Sequence, residues 1–195
     1  MATPIIADPT ICLASTSPRR RELLSQIGVR FIYVDPAIDE ENISAPTARQ
    51  QVLEIARAKA CAGINKEPLC CVLAADTVVI CDDKALGKPV DRDDAMRMLA
   101  LLSGRSHWVY TAVVTLFGDK TCHAVSATEV WLRATTIAER ARYADSGEPF
   151  DKAGGYAIQG RAAEFIARIE GSYSNVVGLP LFETANLLNQ QGINL

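Results

Sequence analysis

The chain has 195 residues, 49% of them hydrophobic and 22% charged, which is enough apolar material for a folded core and argues against disorder. The formal net charge of −3 does not favour a stable nucleic-acid partner or an anionic membrane surface, because both would call for a basic face. No apolar run approaches the roughly 20 residues of a membrane span, and Met1–Pro9 lack a secretion-signal pattern, so we expect a cytoplasmic protein without a membrane partner.

The first third of the chain predicts a strand, a helix and a second strand. The apolar residues Ile11–Ala14 form the first strand, and Phe31–Val34 form the second. Between them, Ser17 is placed to cap a helix, Pro18 to open it, and Gly28 to end it.

The middle of the chain predicts a long helix, a buried strand and a shorter helix. Pro46 and Thr47 open a helix that runs to about Ala62. The apolar run Cys70–Cys81 is rich in β-branched residues, which favours a buried strand. Asp91 caps the next helix, which continues to Leu102 with apolar residues at helical spacing.

The C-terminal half predicts five further features. In chain order they are an antiparallel hairpin of Trp108–Phe117 and Thr121–Arg133, a helix opened by a capping box of Thr136 and Glu139, a glycine-rich loop over Gly147–Gly160, a strand around Glu164–Ile169, and a helix over Pro180–Asn189. With no internal repeat or obvious linker, the pattern indicates one α/β domain over residues 1–195 with mixed strands.

Six cysteines lie mostly inside apolar runs and form no CxxC pair. Structural zinc and a disulfide framework are therefore not expected, and we predict reduced thiols in the core. These cysteines are Cys12, Cys61, Cys70, Cys71, Cys81 and Cys122.

Three consecutive arginines, Arg19, Arg20 and Arg21, occupy the first turn of the first predicted helix. Cations are unfavourable beside a helix N-terminus unless an anion joins them, and helix N-termini and arginine forks both bind phosphate. The alternative is a solvated basic turn, and charge alone does not separate the two.

Two charged residues lie on otherwise apolar elements. Lys59 continues the helical stripe of Val52, Ile55 and Ala56, so it either reaches solvent or points into a cleft and neutralises an anion. Asp76 interrupts the buried strand, where a carboxylate needs a nearby cation, a metal, or an altered proton affinity suited to general-base work. A strand-end cap or a structural ion pair is the alternative for Asp76.

Four more residues gain meaning only in combination. Glu40 and Asp39 are oxygen ligands of the kind Mg²⁺ takes, or else an exposed acidic turn. Lys88, between a glycine and a proline, can present an ammonium to phosphate, and Gln159 has an amide that can read a base edge. The P-loop, dinucleotide, zincin and serine-hydrolase motifs do not occur in the sequence.

The segment Leu13–Leu24, with the sequence LASTSPRRRELL, resembles the opening motif of the Maf family of nucleotide pyrophosphatases. Further blocks resemble the family in the same order, and together they cover almost the whole chain. They are Ala58–Ala60, Ala75–Val79, Gly87–Pro89, Leu102–His107 and Gly171–Pro180. The Gly147–Gly160 loop is similar to that of the dTTP/UTP subfamily and differs from the 7-methyl-GTP subfamily.

The resemblance implies roles for individual residues. Asp76 would be the proton acceptor, and Asp76 with Glu40 would hold a divalent cation, Mg²⁺ or alternatively Mn²⁺. The residues that would set substrate specificity are Arg19, Thr77 and Gln159, and those that would line the phosphate site are Ser15, Arg20, Lys59 and Lys88. Asp39 stands where relatives often carry glutamate, which leaves its role open.

The resemblance also implies a fold and an activity. The fold would be the Maf/ITPase-like α/β structure, an elongated mixed sheet with two lobes around a central cleft, in a family whose members are often homodimers. The activity would be hydrolysis of dTTP or UTP to the nucleoside monophosphate and pyrophosphate, with a role in removing non-standard nucleotides. The alternatives are a 7-methyl-GTP pyrophosphatase, a non-catalytic nucleotide-binding regulator of septum formation, and a scaffold with charged surface residues.

Overall fold

The computed structural model describes residues 10–194, so the prediction about Met1–Pro9 lies outside the described residues. The described part is a mixed α/β fold, as predicted. Its strands are β1 (Ile11–Ala14), β2 (Phe31–Val34), β3 (Cys71–Cys81), β4 (Lys84–Leu86), β5 (Ser106–Phe117), β6 (Lys120–Leu132) and β7 (Ile166–Glu170). Its α-helices are α1 (Pro18–Gln26), α2 (Ala48–Lys66), α3 (Arg92–Leu102), α4 (Ile137–Ala144), α5 (Tyr173–Val177) and α6 (Leu181–Gln190).

These strands form one sheet in the order β2-β1-β3-β5-β6-β7, with β4 paired to the end of β3. β1 runs parallel to both β2 and β3, whereas the pairs β3–β5, β5–β6 and β6–β7 are antiparallel. On one side, β3 pairs with β1 through residues 71–73 and with β4 through residues 79–81. Within the described residues, the stretch of β3 between these two pairings has a strand neighbour on its β5 side alone, and Asp76 lies in it.

Side chains along β3 alternate between the two faces of the sheet. Val72 and Ala74 pack with α2, in one apolar cluster. Leu73 and Ala75 pack with α1 and α6, in another. By the same alternation, Asp76 belongs to the α2 face and its neighbour Thr77 to the opposite face.

The predicted helix starts are largely confirmed by their capping hydrogen bonds. The Thr47 side chain accepts from the Gln50 amide, the Asp91 side chain accepts from the Asp94 amide, and Thr136 forms the predicted capping box. Ser17 is an exception, since its side chain makes no capping bond. Within residues 10–194, none of the helices combines the length and the apolarity that crossing a bilayer requires.

Several details depart from the sequence-based predictions. α2 continues to Lys66, four residues beyond the predicted end, because its later turns still bury Gly63 against the sheet. β4, α5 and the short 3-10 helices after Gly147 were not predicted. Four of the six cysteines are buried as expected, but Cys61 is exposed, so it is not a core thiol. The seven strands are continuous in one sheet, and the division into two lobes stays a prediction.

Candidate active site

A cleft of about 770 Å³ opens beside the part of β3 that lies between its pairings with β1 and β4. Its size suits a ligand as large as a nucleotide. The elements around it are the β1–α1 turn, α2, the loop after β4, and the loop over residues 147–160. Nine of the candidate residues line it, namely Ser15, Arg19, Arg20, Glu40, Lys59, Asp76, Thr77, Lys88 and Gln159. The structure therefore brings together residues that are up to 144 positions apart in the chain, from Ser15 to Gln159.

The centre of the cleft is a lysine–carboxylate cluster of Lys59, Asp76 and Glu40. The Lys59 ammonium lies 2.7 Å from Asp76 Oδ1 and 2.8 Å from Glu40 Oε1. Lys59 and Asp76 are largely buried, with 9% and 13% of their side chains exposed, whereas half of the Glu40 side chain is exposed. Of the three ways to stabilise Asp76 that the sequence leaves open, the structure has the nearby cation.

The apolar stripe of α2 places this lysine. Val52, Ile55 and Ala56 are buried against the sheet, and Lys59 continues the same face one turn later, over the point where β3 carries Asp76. The Lys59 side chain is largely buried, and its ammonium lies between two carboxylates at the edge of the cleft. The prediction that Lys59 points into a cleft is confirmed.

Arg20 is held in place by three hydrogen bonds to other parts of the protein. Its Nε donates to the carbonyl of Gly178 at 2.8 Å, Nη2 to Thr77 Oγ1 at 3.2 Å, and Nη1 to Ser15 Oγ at 3.5 Å. Burial lowers the pKa of Arg20, while the charges of Asp76 and Glu40 oppose that shift. A guanidinium has five N–H groups, so Arg20 keeps donors for an anion in the cleft.

Arg19 crosses the cleft. Its Nη1 lies 3.1 Å from Asp151 Oδ2, in the 147–160 loop. Asp151 is mostly exposed, and an exposed ion pair of this kind contributes only about 0–1 kcal/mol. Breaking this pair therefore costs little free energy. Arg19 could exchange its contact with Asp151 for a stronger contact with a bound phosphate.

Lys88 and Gln159 extend into the open part of the cleft. Both are exposed and both line it, Lys88 from the loop after β4 and Gln159 from the 147–160 loop. Both side chains are therefore accessible from the cleft, and their contacts with a ligand stay a prediction.

Asp39 is the one acidic candidate that stays apart. Its Oδ1 accepts from the Glu41 amide and its Oδ2 from Asn42 Nδ2, so both oxygens are used within the turn. Asp39 does not belong to the residues around the cleft, whereas its neighbour Glu40 does.

The donor set fits a hard divalent cation that is shared with a substrate. Mg²⁺ is commonly bound by one or two carboxylates together with substrate phosphates and water. Asp76 and Glu40 converge to a single nitrogen atom, and each carboxylate has a second oxygen. In the part of the chain that the structure describes, no group of three or more metal-binding side chains forms a complete protein cage. A cation here would therefore depend on phosphate oxygens.

Sequence reasoning missed a hydrogen-bonded network beneath Thr77. Thr77 Oγ1 is 2.9 Å from Thr111 Oγ1, and Thr111 donates to the backbone carbonyl of Asn175. The fully buried Asn175 donates to the carbonyl of Val109 and to Thr128 Oγ1. This network joins the Gly171–Pro180 block to the cleft, and hydrophobic periodicity gives no signal for it.

The chain is similar to known proteins over most of its length. A family model described as Maf-like protein matches residues 10–191. A protein of Bordetella avium (strain 197N), named dTTP/UTP pyrophosphatase, is 53% identical and covers 96% of this chain and 98% of its own. Proteins with the same name from Vibrio parahaemolyticus and Alkalilimnicola ehrlichii are 47% and 49% identical, and each covers 93% of this chain, with 96% and 93% of their own lengths.

Proposed function

The chain belongs to the Maf family, and from that premise we propose that it hydrolyses dTTP and UTP to the nucleoside monophosphate and pyrophosphate. It is a nucleoside triphosphate pyrophosphatase, a hydrolase that acts on an acid anhydride. Three relatives that align over almost their full length are named for this reaction. The observation that carries the proposal is the lysine–carboxylate cluster, which combines a buried base and a cation beside a cleft with further cations.

The cleft suits a triphosphate because its cations approach from several directions. Arg19 and Arg20 project from the first turn of α1, where the helix dipole also favours an anion. Lys59 and Lys88 approach from α2 and from the loop after β4. Preorganised cations of this kind stabilise charge that develops on a phosphoryl group in the transition state.

Asp76 is the group suited to activate water. It accepts the proton of a water molecule whose oxygen forms a new bond to phosphorus, while the bond to the α–β bridging oxygen breaks and pyrophosphate leaves. Lys59 fixes the carboxylate through Oδ1, which leaves Oδ2 available to the water. Pyrophosphate is released as one group, so the products differ from those of a phosphatase that removes single phosphates.

A divalent cation, Mg²⁺ or alternatively Mn²⁺, would be held by Asp76 and Glu40 together with phosphate oxygens. When bound, it supplies charge neutralisation and a Lewis acid for the phosphoryl group. Ser15 Oγ lies within hydrogen-bond distance of Arg20 and accepts from the Ser17 amide, which supports its role in shaping the phosphate site.

Base recognition is assigned chiefly to the 147–160 loop, which carries Gln159. Gln159 has both a donor and an acceptor, which a uracil or thymine edge requires. Thr77 and Arg19 complete the set of specificity residues. We further propose that the protein acts in the cytoplasm on free nucleotides, without a stable nucleic-acid partner, and that it forms a homodimer.

The decisive experiment is a nucleotide panel with product identification. The purified protein is incubated with dTTP, UTP, CTP, GTP and 7-methyl-GTP, with Mg²⁺, with Mn²⁺ and with a chelator, and products are separated by anion-exchange chromatography. We expect monophosphate and pyrophosphate from dTTP and UTP in the presence of a divalent cation.

Other outcomes would redirect the assignment. Preferred hydrolysis of 7-methyl-GTP would move the chain to the other subfamily. Release of single phosphates would contradict the bond that we assign to cleavage. Nucleotide binding without turnover under every metal condition would favour the regulator.

A further inference from the structure

The turn that carries Gln159 is clamped at both ends by one pair of side chains, Tyr143 and Glu148. The Tyr143 hydroxyl accepts from the Ala157 amide at 3.1 Å and donates to Glu148 Oε1 at 2.8 Å. Glu148 Oε2 in turn accepts from the Arg161 amide at 3.0 Å. The pair therefore binds the backbone two residues before Gln159 and two residues after it.

The turn is also closed on itself. The Gly160 amide donates to the carbonyl of Ala157 at 3.1 Å, so Gln159 lies inside a tight loop whose two ends are both bonded to the clamp. Gly160 has no side chain where the clamp passes, and a Cβ atom there would overlap the Glu148 carboxylate. A side chain at this position would therefore displace the Glu148 carboxylate from the clamp.

Tyr143 anchors the clamp in the core, whereas Glu148 belongs to the 147–160 loop itself. Tyr143 lies on α4, is 3% exposed, and packs edge-on against the fully buried ring of Phe165. Burial and the hydrogen bond to Glu148 both raise the pKa of Tyr143, so its hydroxyl remains a donor throughout the neutral range. Tyr143 is consequently a fixed point to which the irregular loop is attached, directly at Ala157 and through Glu148 at Arg161.

We propose that Tyr143 and Glu148 are positioning residues for base selection, which hold Gln159 at the depth in the cleft where its amide meets the base. This rests on the proposed function, in which Gln159 reads the base. The lysine–carboxylate cluster has no part in the clamp. Loss of the clamp should therefore disturb the choice among bases more than the hydrolysis of the anhydride.

The test compares Tyr143→Phe and Glu148→Ala with the wild type on UTP and CTP. Each variant should lower the ratio of kcat/KM for UTP to that for CTP by about three- to tenfold, the equivalent of one net hydrogen bond. Most of the change should lie in KM for UTP. Glu148→Gln, which keeps an acceptor for Tyr143, should recover part of the ratio. The double variant should be no worse than the more affected single variant, because both remove the same clamp.

Tyr110→Phe is the matched control. Tyr110 is a half-buried tyrosine on β5 that stacks on Trp108 and lies outside the residues that line the cleft. Its substitution should leave the ratio unchanged. An unchanged ratio in both clamp variants, together with an altered ratio in Gln159→Ala, would overturn the proposal, since the turn would then not need the clamp.

Hydrogen exchange tests the clamp even if the protein proves to hydrolyse none of these nucleotides. The Ala157 amide should exchange at least about threefold faster in Tyr143→Phe than in the wild type, and no faster in Tyr110→Phe. Equal exchange in all three proteins would overturn the clamp. A wild type without turnover but with the expected exchange would instead contradict the proposed function and leave the clamp standing.

Discussion

The lysine–carboxylate cluster and the 147–160 loop face the same cleft but are held in place by different means. Lys59 and Asp76 project from a 19-residue helix and an 11-residue strand, whose backbones are fixed by regular hydrogen bonds. The loop contains only short 3-10 helices and is fixed by side chains such as Tyr143 and Glu148.

The difference matches the demands of the two tasks that we propose, which are catalysis for the cluster and base selection for the loop. Proton transfer and charge neutralisation require placement within a fraction of an ångström, which regular elements provide. Base selection requires a shape that can differ between relatives, and a loop attached at a few points permits such changes without disturbing the sheet. We therefore expect substitutions in the cluster to act on rate and stability, and substitutions in the loop to act on selectivity.

Asp76→Asn should give the largest effect. Asparagine has the same shape and can still accept from Lys59, but it cannot take a proton from water. Turnover of dTTP should fall by about 10²- to 10⁴-fold, with the thermal unfolding midpoint within a few degrees of the wild type. Asp151→Asn, on the loop side of the cleft, should cost no more than about tenfold in comparison. Near-normal turnover in Asp76→Asn would remove Asp76 as the base.

Lys59→Met should affect both rate and stability. It leaves the Asp76 carboxylate largely buried, beside Glu40 and without its cation, which should lower the free energy of unfolding by about 3 kcal/mol. Turnover should fall by about 100-fold through lost charge neutralisation. Urea denaturation and steady-state assays measure the two effects.

Lys66→Met is the control for that substitution. Lys66 lies at the end of the same helix and donates to the carbonyl of Asp35 at an exposed site, so its loss should cost less than about 1 kcal/mol. If the two variants prove equally stable and equally active, Lys59 contributes no more than a surface lysine does, and the cluster has no catalytic role.

The two regions also differ in how far the sequence predicts them. The cluster is accessible to sequence reasoning, because Lys59 breaks a helical apolar stripe and Asp76 breaks an apolar strand, and both periodicities fix the face that a residue occupies. Strand and helix bounds come within a few residues for the same reason.

The clamp and the buried threonine network are not accessible in this way. Thr77 contacts Thr111 at a separation of 34 residues, and Thr111 contacts Asn175 at a separation of 64. Such contacts depend on sheet order and on loop paths, which hydrophobic periodicity does not encode. The three-residue β4 and the five-residue α5 are likewise too short to show a period. The role proposed for Gln159 rests on family resemblance, because its exposed and irregular surroundings do not indicate one.

The pH dependence of protein stability tests whether His107 is buried beneath the 147–160 loop. It is 2% exposed, its Nε2 lies 2.7 Å from the hydroxyl of Tyr156 in the loop, and burial lowers its pKa from 6.5 to about 4. The folded protein thus keeps His107 neutral where the unfolded chain binds a proton. Stability should be unaffected by this group above about pH 6.5, fall between about pH 6.5 and pH 4, and fall no further below that, by about 3 kcal/mol in total.

His107→Gln removes this titration, and His123→Gln, at the exposed second histidine, does not. Urea denaturation from about pH 7 to about pH 4.5 should therefore show a smaller loss of stability in His107→Gln than in the wild type or His123→Gln. Parallel curves for all three proteins would mean that His107 titrates normally, and that the base of the loop is more open to water than the structure indicates.

Gln159→Ala should have the smallest effect and the most selective one. Gln159 is exposed, so its truncation should change the free energy of unfolding by no more than about 0.5 kcal/mol. Loss of one donor and one acceptor at the base should alter the ratios of kcat/KM among dTTP, UTP, CTP and GTP by about tenfold. Hydrolysis of the better substrates should stay far above that of Asp76→Asn.

Gln26→Ala is the control, because Gln26 is an exposed glutamine at the end of α1, and it should leave the ranking of substrates as it is. If Gln159→Ala also leaves it unchanged, the loop does not read the base through this amide. Selectivity would then have to come from Arg19 or Thr77, which lie outside the loop, and the assignment of selectivity to the 147–160 loop would no longer hold.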